Sequence, residues 1–80
     1  MVWLFTRGNE ELKVEVRLDH NTFEFVVTQR FPNGLSETER FETFERCRAR
    51  LIALERRLET DSWTNSGPPL SVAVGTEMDG

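Results

Sequence analysis

Residues 12–18 read Leu12-Lys13-Val14-Glu15-Val16-Arg17-Leu18, an unbroken alternation of apolar and charged side chains. Successive side chains of an extended chain point to opposite faces, so this stretch predicts a β-strand with one dry and one wet face. Residues 2–7 precede it across Gly8-Asn9, a dipeptide that tolerates the positive φ of a tight hairpin. A loop of two residues sets Phe5 opposite Leu12 and Trp3 opposite Val14, and a loop of four keeps the same parity. Trp3 and Phe5 therefore belong to the core face.

The polar stretch Asp19-His20-Asn21-Thr22 is rich in side chains that bond their own backbone, and it predicts a turn into a third strand over residues 23–31. There Phe23, Phe25, Val27 and Phe31 share the inward parity, and Val26 is the one apolar residue on the wet side. Pro32-Asn33-Gly34 then suits a type I turn closed by a left-handed glycine. It predicts a fourth strand over residues 35–41, with Phe31 opposite Leu35 and Phe25 opposite Phe41. Glu37 and Glu39 sit awkwardly at inward parity on that reading. The rival is a capping box, Ser36 with Glu39, which would start a helix straight after the turn. The specificity of the turn, and a separate cap at Thr43, favour the strand.

From Phe44 the apolar spacing changes to three, four, three and four, through Cys47, Leu51, Leu54 and Leu58. That is one stripe of a helix over residues 44–60, about 25 Å long at ~1.5 Å per residue and sufficient to cross four strands. The same spacing fits a coiled-coil heptad, but two heptads are too few to hold a dimer alone. The expected fold is α+β: an antiparallel four-stranded β-meander (ββββα) with one long C-terminal helix packed across one face. Residues 1–63 form the compact domain, with Trp63 its last anchored large side chain. Residues 64–80 form an arm containing Gly, Pro and Ser, in which Leu70, Val72 and Val74 alternate with small residues, and the expectation is either a disordered arm or an added edge strand.

Composition narrows the function more by exclusion than by assignment. A chain of 80 residues buries roughly 60 to 65% of its unfolded surface, so a partner or dimer contact would add to a thin stability margin. The longest apolar run is far short of a membrane span, no signal-peptide pattern opens the chain, and a single cysteine agrees with a reducing compartment. A cytoplasmic protein is the expectation. A net charge of −4 disfavours nucleic acid and anionic membrane on average. The helix departs from that average, with five arginines against three glutamates in residues 44–60.

Candidate chemistry is sparse. His20 beside Asp19 lacks the convergent ligands or the nucleophile that metal binding or acid–base catalysis needs, so it is read as a turn residue. Cys47 lies on the helix stripe, where a thiol acts as a small apolar filler. Arg46, Arg50 and Arg57 fall within about 40° of one another around the helix, a ridge able to grip carboxylate or phosphate. Four-residue spacing also lets Glu42 reach Arg46, and Arg57 reach Asp61. Ala49, Ile52 and Ala53 lie roughly opposite the core stripe and would let another backbone approach closely. The outer sheet face mixes Val2, Leu4 and Val26 with Lys13, Glu15, Arg17, Glu24 and Arg30.

A meander roofed by one helix is also the outline of some single-strand nucleic-acid readers, which stack bases on aromatic platforms of a basic sheet. Here the aromatics carry core parity and the outer face is charge-balanced. The sequence therefore points to a small non-enzymatic domain that binds another protein or its own copy as a homodimer, with no cofactor and no metal. The binding residues are expected among Arg46, Arg50, Arg57, Ala49, Ile52 and Ala53. A nucleic-acid-binding module using the arginine ridge or the Lys13, Arg17, Arg30 face is the alternative.

Overall fold

The alternation of residues 12–18 is realised as the central strand of an antiparallel sheet in the computed structural model, which describes residues 1–65 and 67. β1 (Val2–Arg7) turns at Gly8-Asn9 into β2 (Glu10–Asp19), with Trp3 opposite Val14 and Phe5 opposite Leu12 as the pattern requires. Gly8 takes φ +59°, a conformation that strains any side chain. β3 (Glu24–Arg30) and β4 (Ser36–Phe41) complete the meander, and α1 (Phe44–Thr60) follows. A further short strand, β5 (Thr64–Asn65), pairs antiparallel with β1, giving the order β4-β3-β2-β1-β5. Pairing thus runs two residues beyond Trp63, while Leu70, Val72 and Val74 lie outside the described residues.

The turn between β3 and β4 decides the contest over residues 35–41. The Gly34 N–H donates to the Phe31 carbonyl at 3.0 Å, the Leu35 N–H to Asn33 Oδ1 at 3.0 Å, and Gly34 takes φ +88°. Phe31 then donates to the Leu35 carbonyl, and Phe25 stands opposite Phe41. Ser36 pairs with Arg30 in the sheet and is not a helix cap.

Two side chains depart from the sequence pattern. Phe23 is left in the turn, 72% exposed and at φ 59°, because its N–H closes a five-residue turn onto the Asp19 carbonyl at 2.7 Å. β3 therefore starts one residue late, and Phe23 never reaches the core. Val26 does face outward but is fully buried, at 0% exposure. Its cross-strand neighbours are Arg17 and Arg40, residue types whose long aliphatic stems can shield an apolar neighbour while their heads reach water.

The inward face of β1 to β3 meets the stripe of α1. Phe5, Val14, Val27, Cys47, Leu51 and Leu54 are sealed at the centre, with Leu58 and Trp63 closing one end. α1 starts at an N-cap, where Thr43 Oγ1 accepts from the Arg46 N–H at 3.3 Å. It ends in a Schellman motif, with Trp63 N–H donating to the Leu58 carbonyl at 2.9 Å and Ser62 N–H to the Glu59 carbonyl at 3.1 Å. Leu58 and Trp63, the positions that usually meet in this motif, both belong to the hydrophobic core. Ser62 holds the left-handed position at φ 68°, where glycine is usual. Ser62→Gly is expected to raise unfolding free energy by about 0.5 to 1 kcal/mol, read as a higher urea midpoint with unchanged slope.

Candidate functional site

α1 crosses the sheet obliquely. Its first turns lie beside β3 and β4, where the Phe44 ring is 5.9 Å from Phe25 and Arg50 Nε donates to Glu39 Oε1 at 2.9 Å. Its last turn lies at β1, where Arg7 Nη1 donates to the Asp61 carbonyl at 3.0 Å. The slant leaves the turn end of the β3–β4 hairpin uncovered. A cleft of about 460 Å³ opens there, between the C-terminal half of α1 and that hairpin, within the usual range for ligand sites.

The cleft has an apolar lining from Leu12, Phe31, Leu54 and Leu58. Gln29 lies in it, between Val14 and Glu37 on the inward face. Only 6% of this residue is exposed, yet its amide makes no hydrogen bond among the described residues. The amide is not sealed from solvent, so its opening is the cleft itself. A side-chain amide carries both donors and an acceptor, the complement of a peptide group.

Charge around the cleft is slightly acidic, with Arg7 and Arg57 against Glu10, Glu37 and Asp61. Arg7 gives Nε and Nη2 to Glu10 Oε1 at 3.2 and 3.1 Å, and its guanidinium lies 4.4 Å from the centre of a Trp63 ring, a cation–π stack. Arg57 on the helix wall and Glu37 on β4 also line the cleft. Such a lining gives no preference for a strong anion.

The sequence-predicted binding residues are dispersed. Arg50 is half-buried and committed to Glu39, which also explains how an acidic side chain is tolerated at inward parity on β4. Arg57 lines the cleft, and Arg46 stands exposed at the helix start. The pairs Glu42 with Arg46 and Arg57 with Asp61 do not form among the described residues; Asp61 instead gives its backbone N–H to the Arg57 carbonyl. Ala49 and Ala53 are exposed on the outward side of α1, and Ile52 is half-buried. Gln29 was missed by the sequence reading, although a polar residue at inward parity between Val27 and Phe31 was a readable signal.

Other chemistry-bearing residues stay apart. No group of three or more His, Cys, Asp or Glu among the described residues is placed to hold a metal ion. His20 is exposed in its turn, and burial pushes the Cys47 thiol up, away from the reactive thiolate. No helix among the described residues is long and apolar enough to cross a membrane. No protein family, curated protein or solved structure matches the chain.

On the outer face Arg40 Nη1 donates to Asp19 Oδ2 at 3.0 Å and lies 3.5 Å from Glu24 Oε1. The Arg40 hydrogen bond, helped by the Asn21 N–H, holds the Asp19 carboxyl below its ordinary value. A lowered folded value means that this contribution to stability is present above the ordinary carboxylate range and is lost as pH falls through the folded value. Arg40→Gln is expected to move the Asp19 titration upward, followed by carboxyl-carbon NMR. An unmoved titration curve would show that the arginine is not its cause.

Proposed function

We propose that this chain is a non-enzymatic protein-interaction domain that works as a homodimer. The observation that carries the reading is the cleft under α1, where the Gln29 amide lies in a mixed polar and apolar lining with no partner of its own among the described residues. An unpaired amide beside an apolar lining suits a peptide group flanked by an apolar side chain. The slight excess of carboxylates around it suits a neutral ligand better than a phosphate. The small size of the chain adds to this, since a shared contact supplements a modest core.

A second reading, binding of single-stranded nucleic acid, has one observation in its favour. Lys13 and Arg30 are directly opposite on the outer sheet face, an arrangement unfavourable for like charges, and neither forms an ion pair among the described residues. Arg17 on the same face is also without one. Against it, the apolar residues exposed on that face are the aliphatic Val2 and Leu4, which provide no stacking platform.

Sedimentation equilibrium over a rising concentration series is expected to show a monomer–dimer equilibrium, and a strict monomer at the highest concentration would exclude the homodimer. Titration with mixed-sequence single-stranded oligonucleotides at low salt is expected to leave tryptophan emission unchanged. A salt-sensitive response lost in Arg30→Glu would promote the second reading.

A further inference from the structure

Resting on the homodimer reading, we infer that the cleft under α1 is filled by residues 70–74 of a second copy of this chain. The segment reads Leu70-Ser71-Val72-Ala73-Val74 and sits within the longest uncharged stretch of the sequence, residues 62–76. In extended form it would place Leu70, Val72 and Val74 on one side, toward the apolar part of the lining formed by Leu12, Phe31, Leu54 and Leu58. Its peptide groups supply both the donor and the acceptor that the Gln29 amide lacks. Its lack of acidic side chains suits a lining in which Glu10, Glu37 and Asp61 outnumber Arg7 and Arg57.

The path of the chain favours a second copy over the same molecule. The turns between β1 and β2 and between β3 and β4 lie at one end of the sheet, and the cleft opens at that end. β5 runs antiparallel to β1, from the level of Thr6 to the level of Phe5, and so carries the chain away from it. Reciprocal exchange between two copies closes on a two-fold axis, with each cleft receiving the partner's segment.

The test uses the full chain. Val72→Asp puts a charge into the segment, and it is expected to sediment as a monomer at concentrations where the parent is a dimer. Added to the Val72→Asp protein, a blocked synthetic peptide of residues 68–76 is expected to give a saturable change in tryptophan emission, because Trp63 borders the cleft. Gln29→Leu in that background is expected to weaken the peptide ~10-fold, the effect of one lost hydrogen-bonding group. Phe31→Ala, at a half-buried position of the lining, gives a second cleft variant should Gln29→Leu fold poorly.

A dimer that survives Val72→Asp, or one dissociated by Ile52→Glu alone, overturns the exchange but leaves the homodimer standing. Absence of any peptide response overturns the exchange as well. A parent that stays monomeric at every concentration defeats both the exchange and the homodimer. A monomeric parent whose cleft still responds to the peptide shows that the segment serves its own molecule.

Discussion

The burial of one helical stripe against one face of a meander governs the rest of this structure. Cys47, Leu51, Leu54 and Leu58 fill the space above Phe5, Val14 and Val27, and removing that water-excluded contact would leave either layer with an exposed apolar face. The layers are of unequal width. A single helix of 17 residues crosses at a slant, so it covers β1 to β3 near its stripe and leaves the hairpin end of β3 and β4 open. The cleft is therefore a geometric remainder of the packing, and the chemistry of that remainder is set by the few side chains that point into it.

Much of this was legible in the sequence because the relevant signals are local and periodic. The register of β1 on β2 follows from parity alone, and the cap at Thr43 and the Pro32-Asn33-Gly34 turn are short motifs with a direct mechanical cause. Phe23 was misplaced because parity assumes a fixed point of entry into the strand. The Asp19 turn closes one residue further on and consumes Phe23 in doing so. Val26 was assigned to the wet side correctly and to solvent wrongly. Alternation reports the direction of a side chain and carries no information about which neighbouring stems lie across it.

The site was less readable, for a related reason. The arginine ridge is real as helix geometry, yet its members meet different surroundings, since Arg50 finds Glu39 while Arg57 overlooks the cleft. Those surroundings depend on the crossing angle of α1, which no local pattern specifies. Gln29 matters for the same reason: its burial follows from parity, whereas its lack of a partner follows from where the helix stops covering the sheet. The Schellman motif connects the two ends of the problem, because the turn at Ser62 seats Trp63 beside Leu58 and directs the chain into β5.

β4 forms one margin of the sheet, and it directs Glu37 and Glu39 toward the helix side. A neighbouring strand that tried to extend the ladder from this margin would have to bring carboxylates into an apolar layer and break the Arg50 bridge. Open-ended stacking of sheets into fibrils is disfavoured at that border by the same charges that looked out of place in the primary structure.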